Sequence, residues 1–96
     1  MLSKIGFNAV QSTEGYTVRR SDRTHVEYRE GDWIARIEVE AAQVGTEKYY
    51  LAVFSATLTS LKSGPDRRAI ADAERAQIVR RIAEGLEFLG DRVVIE

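Results

Sequence analysis

Between Lys4 and Ala56 the chain alternates apolar and polar residues for most of its length, the pattern of strands separated by turns. A first strand is predicted over Lys4 to Val10, ending at the turn-rich Ser12-Thr13-Glu14-Gly15. A second, Tyr16 to Arg20, sets Tyr16 and Val18 on one face, and Ser21-Asp22-Arg23 then turns the chain. A third, Thr24 to Arg29, sets Val26 beside Tyr28. The fourth is the clearest. In "DWIARIEVEA" Trp33, Ala35, Ile37, Val39 and Ala41 share one face, while Ile34, Arg36, Glu38 and Glu40 take the other, as in an antiparallel strand with one buried and one wet side. A two-residue turn at Glu30-Gly31 would pair Arg29 with Asp32 and set Tyr28 opposite Trp33, keeping both apolar faces together. After the turn Gln43 to Glu47 comes a fifth strand, Lys48 to Ala56, apolar on both faces, whose alternation Thr57 and Thr59 continue.

The period then changes. In "DAERAQIVRRIAEGLEFLG" Ile78, Val79, Ile82, Leu86 and Leu89 form one stripe at 100° per residue, with Arg80, Arg81, Glu84 and Glu87 opposite. Asp72 reads as the N-cap, Glu74 sits where the helix dipole favours a negative charge, and Gly90 suits the C′ position. Burying the stripe contributes a gross ~8–15 kcal/mol, at ~1.5–3 kcal/mol per aliphatic side chain, so this helix is the second layer of the core. A short last strand, "RVVIE", follows. The predicted fold is a single α+β domain over residues 1–96: an antiparallel meander sheet of five to six strands, one C-terminal helix packed on one face, then the short last strand.

Composition narrows the chemistry more than it names it. With 44% hydrophobic and 30% charged residues the 96-residue chain is an ordinary globule. Its 14 basic residues are balanced by 15 acidic ones, without the basic excess of a nucleic-acid binder. The absence of cysteine removes disulfides, thiolate metal sites and a cysteine nucleophile. No stretch has the length of a signal peptide's apolar run or of a membrane span, so a cytoplasmic location without membrane contact is expected.

Each candidate for chemistry has a plain structural alternative. His25, the sole histidine, points by alternation to the solvent face beside Glu27 and Arg29, with no second histidine to build a metal site. Glu38 and Glu40 share a strand face at a spacing that suits paired acid–base work or a hard cation, but Arg36 shares it too, as on many wet sheet faces. Ser55, Thr57, Thr59 and Ser60 lack a nearby base. Phe88 lies about 130° from the centre of the helical stripe and either packs under the last strand or stands exposed as an anchor for a partner. No cofactor or metal is called for.

The stretch "SATLTSLKSGPDRR" gathers hydroxyls, a Gly-Pro and three basic side chains. A phosphate loop reads GxxxxGK[ST]; here Lys62 precedes the glycine, and Pro65 has no N–H to offer a phosphate. Lys62, Arg67 and Arg68 are then a local basic cluster in a turn, suited to an acidic surface.

The run "YYLAVFSATLTSL", the polar loop, "AIADAERAQIVRRIAEGLEFLG" and the terminal "RVVIE", residues 49–96 together, resemble small bacterial immunity proteins encoded beside polymorphic or contact-dependent toxins. That resemblance implies a protein that binds and neutralises a cognate toxin domain without catalysis, so no catalytic residue is carried over. From the residues alone the leading expectation is a small non-enzymatic binding protein. Its proposed protein-contacting residues are Lys62, Arg67, Arg68, Phe88, Arg36, Glu38 and Glu40. A small-molecule-binding or hydrolytic domain on the face of Arg36, Glu38 and Glu40 is an alternative. So is a structural homodimer formed through an open sheet edge or Phe88.

Overall fold

The computed structural model describes residues 1–44 and 48–96, and the turn expected between Gln43 and Glu47 falls largely outside them. In chain order the strands are β1 (Leu2–Gly6), β2 (Ala9–Ser12), β3 (Tyr16–Arg20), β4 (His25–Glu30), β5 (Trp33–Val44) and β6 (Lys48–Phe54). A 3-10 turn over Ser55–Thr57 leads to β7 (Ser60–Ser63) and β8 (Asp66–Ala69), then helix α1 (Asp72–Phe88) and β9 (Val93–Ile95). The α+β class stands: a curled, mostly antiparallel meander with α1 on one face and a last strand.

The sheet runs β1-β2-β3-β4-β5-β6-β9, with β7 and β8 branching from β5. Only β9 is parallel to its neighbour, with Val93 beside Leu51 and Ile95 beside Val53. A parallel partner requires a crossover, which the β7–β8 hairpin and α1 supply. The core forms where the inward residues of the strands meet the helical stripe: Val10, Val18, Val26, Tyr28, Ile37 and Val53 face Ile78, Val79, Ile82 and Leu86. Leu89 is half-buried at the margin.

Several local expectations need correction. The first predicted strand is a hairpin whose register breaks between Lys4 and Gly6 and turns at Phe7-Asn8. Asn8 drives that turn: its backbone C=O accepts from Arg20 N–H at 3.0 Å, and its amide donates to Arg20 O at 3.2 Å. The β4–β5 loop is Gly31-Asp32, so Glu30 pairs with Trp33 and Tyr28 lies opposite Ala35. Gly31, with φ +61°, takes the first loop position, where a type II′ turn needs a positive φ. The slip is by two residues, so every side chain keeps its predicted face.

The inward face of β5 ends at Val39, and Ala41 is exposed. Twelve strand residues reach about 40 Å, whereas a 17-residue helix covers only about 26 Å, so the sheet outruns its cover. Asp72 is the first helical residue, not the cap. Ala71 takes the cap position without a side-chain bond, and Asp72 pairs with Arg75 at 2.8 Å. At the other end Gly90, φ +105°, closes a Schellman motif: Gly90 N–H donates to Glu87 O at 2.9 Å and Asp91 N–H to Leu86 O at 3.0 Å. Phe88 does not pack under β9; it is 46% exposed.

The largest revision concerns β6. The strand stops at Phe54, and Thr57 leaves the alternation. Its hydroxyl donates to Phe54 O at 2.7 Å and accepts from Glu38 N–H at 2.9 Å, taking the place of a ladder partner on β5. After this detour the chain resumes along the same edge of β5 as β7, with Lys62 opposite Ile34. The stretch expected as a solvated loop is therefore a further hairpin. Ser63 pairs with Asp66 around Gly64-Pro65, and Gly64 at φ +58° again takes the first loop position.

Helix and sheet approach closely at Gly85. A Cβ there would lie 3.0 Å from Val18 Cβ and Cγ2 and 3.1 Å from Val10 Cγ2, atoms of wholly buried residues on central strands. Alanine at position 85 would gain ~1 kcal/mol of helix propensity, but crowding of this kind costs ~1–3 kcal/mol. Because β-branched valines on hydrogen-bonded strands have little room to give, Gly85→Ala is expected to lower stability by about 1 kcal/mol in urea denaturation. A more stable variant would show that the strands yield.

Candidate binding face

The face of the sheet turned away from α1 is open, and strand pairing sets its side chains in rows. One row crosses four strands: Arg29 beside Ile34, Ile34 beside Lys62, Lys62 beside Arg67. The next is Arg19, Glu27 and Arg36. Where β7 docks on β5 these rows border a groove of about 420 Å³ lined by Ile34, Arg36, Thr59, Ser60, Lys62 and Arg67. Its floor is apolar, its rim carries three cations, and two hydroxyls lie between them. Arg36 is 56% exposed and stands 3.5 Å from the Asp22 carboxylate. Among the described residues Lys62 and Arg67 have no carboxylate within ion-pair distance.

Arg68 does not belong to this cluster. Successive residues on a strand point to opposite faces, so Arg67 lines the groove and Arg68 turns toward the helix. There its guanidinium sits 5.4 Å from the centre of the Trp33 ring and grips Glu74 with two bonds, 2.8 and 3.0 Å. Arg68 thus fastens the β7–β8 hairpin to α1. Glu38 and Glu40 border a separate groove of about 300 Å³ with Thr24, Val39 and Phe54. Both carboxylates are exposed and neither is withdrawn from water. Phe88 lines neither groove.

His25 is half-buried and has a neighbour that the strand pattern did not reveal. Its Nδ1 is 2.8 Å from Thr24 Oγ1 and 3.3 Å from Asp22 Oδ1, inside a turn where Thr24 N–H donates to Asp22 at 2.8 Å. That backbone bond, more than the histidine, holds the Asp22 carboxyl below its ordinary range. Asp22 also reaches Arg36, so this turn positions one of the three groove cations.

Arg81 and Arg75 were not singled out by sequence. Arg81, assigned to the wet side of the helix, is only 16% exposed. It lies 4.7 Å from the Tyr16 ring centre and donates to Tyr28 Oη at 2.9 Å and to Glu30 at 3.2 Å. Tyr28 Oη in turn donates to Glu30 at 2.6 Å. Burial first, and the Glu30 carboxylate second, push the Tyr28 hydroxyl well above its usual range, so it remains protonated. Arg81 sits at the border of the apolar stripe, where a long stem can cross apolar surface and deliver its head to a polar group. Arg75 donates from Nε to Leu58 O at 2.8 Å and so pins the detour after β6. Both partners are remote in sequence, and no local pattern announces them.

Among the described residues no group of three or more histidine or acidic side chains is placed to hold a metal ion. No helix among them is long and apolar enough to cross a membrane.

The Arg68–Glu74 clamp carries a pH signature. Arg68, by hydrogen bonding first, holds Glu74 below its ordinary 4.5. A lowered carboxylate stabilises the fold fully above its unfolded value, and that contribution is lost as pH falls through the folded one. Both partners are partly exposed, so water and salt screen the pair and its contribution is small. Glu74→Gln is therefore expected to lower stability at pH 7, with the deficit shrinking below pH 4.5 in urea titrations. A deficit independent of pH would mean that Glu74 acts through packing.

No family model, curated protein or solved structure matches the chain.

Proposed function

We propose that this chain is a small non-enzymatic binding protein that takes an acidic protein surface into the groove formed by Ile34, Arg36, Lys62 and Arg67. The observation that carries the reading is the groove itself: two cations without an acidic neighbour among the described residues flank an apolar floor on an uncovered sheet face. A carboxylate-bearing partner with one apolar contact satisfies both elements. A nucleic acid fits less well, because Glu27, Glu38 and Glu40 share the face and the chain has a net charge of −1. Neutralisation of a toxin domain, as the resemblance over residues 49–96 implies, is the specific form of this function that we favour. A cationic rim fits it by steering an acidic partner and speeding its docking.

Two experiments test the proposal. In ¹H–¹⁵N spectra, a glutamate-rich peptide should shift the amides of Ile34 to Arg36 and of the β7–β8 hairpin, with shifts that fade as salt is raised. Lys62→Glu with Arg67→Glu should abolish them while thermal stability stays within about 0.5 kcal/mol of the parent. Arg68→Glu should instead lower stability and leave the shifts in place. Shifts spread evenly over the molecule, or stronger ones with an RNA oligomer of equal charge, would overturn the assignment. For the toxin-neutralising form, the product of the adjacent gene should be harmful when expressed alone and harmless with this chain, but harmful again with the Lys62→Glu, Arg67→Glu variant.

A further inference from the structure

Three strands border the described sheet on a free side, and they are not alike. β1 carries Lys4 and a register break, and β8 is four exposed residues, three of them charged, entered from Pro65. Charge, proline and irregularity are the usual means by which an edge is kept from pairing with another strand. β9 carries none of these three, and only its length of three residues limits it. Its sequence is Val-Val-Ile, its pairing with β6 is regular, and Val94 and Ile95 are 41% and 51% exposed.

The hydrogen bonds show which backbone groups of β9 remain available. Leu51 N–H donates to Arg92 O at 2.7 Å, Glu96 N–H to Val53 O at 2.8 Å and Ser55 N–H to Glu96 O at 2.9 Å. In a parallel ladder alternate residues bond to the same neighbour, so Arg92, Val94 and Glu96 face β6. Val93 and Ile95 direct their N–H and C=O groups to the open side, where no described residue meets them.

We propose that β9 pairs antiparallel with β9 of a second copy of this chain, about a two-fold axis at Val94. That register sets Val93 of each copy against Ile95 of the other as hydrogen-bonded pairs, which uses all four outward groups of each strand. Val94 meets its own counterpart across the axis. The flanks then decide the direction. Arg92 of each copy falls opposite Glu96 of the other, so both ends of the ribbon are complementary in charge. A parallel arrangement would set arginine against arginine and glutamate against glutamate. The contact is isologous and closes on itself, so it gives a dimer and not a fibre. Five residues a side bury less than the ~1,200–2,000 Å² of a stable interface, so the dimer is expected to be weak, with a dissociation constant on the order of tens to hundreds of micromolar.

Sedimentation equilibrium of the full chain from about 10 µM to 1 mM, a span chosen to bracket that affinity, tests the proposal. A reversible monomer–dimer equilibrium is expected. Val94→Lys, which opposes two ammonium groups at the axis, should leave only monomer. Arg92→Glu should weaken association about tenfold or more, and adding Glu96→Arg to it should restore association, because the swapped pair is again complementary. Circular dichroism melts confirm that each variant is folded. A monomer throughout that range, or a dimer insensitive to Val94→Lys and to the charge swap, would overturn the inference. A variant that fails to fold is replaced by Ile95→Thr, which thins the contact without touching the β6 ladder and should also weaken the dimer.

Discussion

The structure depends on how the chain passes from β6 to β7 along one edge of β5. β5 is twelve residues long and serves β4 on one side and β6 then β7 on the other. Glu38 is opposite Phe54, but Ile34 is opposite Lys62, so four residues more are spent on the outer side than on β5. The chain leaves the ladder through the 3-10 turn Ser55–Thr57, and the backbone groups vacated there must be satisfied. Thr57 answers on both sides, toward Glu38 N–H and Phe54 O, and Arg75 reaches from the helix to Leu58 O. The detour also drives Leu58, wholly buried, into the core. Without this splice β7 would have no defined place, and neither would Lys62 and Arg67.

The core and the proposed binding face are therefore consequences of one register. Leu58 and Leu61 point inward to Ile78 and Ile82, while Lys62 points outward beside Ile34. Arg68, on the inward side of β8, is tied to Glu74 and Trp33, so the hairpin that presents Arg67 is fastened to the helix by the residue next in sequence. Lys62 and Arg67 stand on a braced hairpin, and Arg36 on β5, not on a loose loop. Little ordering cost then attaches to binding there.

Most of the fold was legible in the sequence because its elements obey local periodicity. Val26 and Tyr28, Ile37 and Val39, and Ile78 and Ile82 each occupied the face that period two or 3.6 assigned, and Gly90 closed the helix as its position implied. What escaped had nonlocal causes. The two-residue slip at Gly31 preserves every face, so periodicity could not detect it. The β7–β8 hairpin has four-residue strands with charged outer faces, and its Gly64-Pro65 signal was read as a turn without strands. Thr57 kept the alternation in sequence but broke it in space, because its hydroxyl substitutes for a backbone partner. Of the residues that line the candidate groove, Arg36, Lys62 and Arg67 were singled out from sequence, but Arg68 could not be separated from them, since adjacent strand residues diverge only once the strand is known. Arg75 and Arg81 give no local sign, because their partners lie 17 and 53 residues away.

Amide hydrogen exchange of the parent and of Thr57→Val shows whether the Thr57 splice seats β7 on β5. Valine keeps the shape and removes both bonds of the hydroxyl, each contributing roughly 1 kcal/mol. Leu61 and Lys62 are expected to be protected in the parent. In the variant they should exchange about thirtyfold faster relative to the α1 amides of Ile82 and Leu86. Free exchange of Leu61 and Lys62 in the parent, or an unchanged pattern in Thr57→Val, would contradict it.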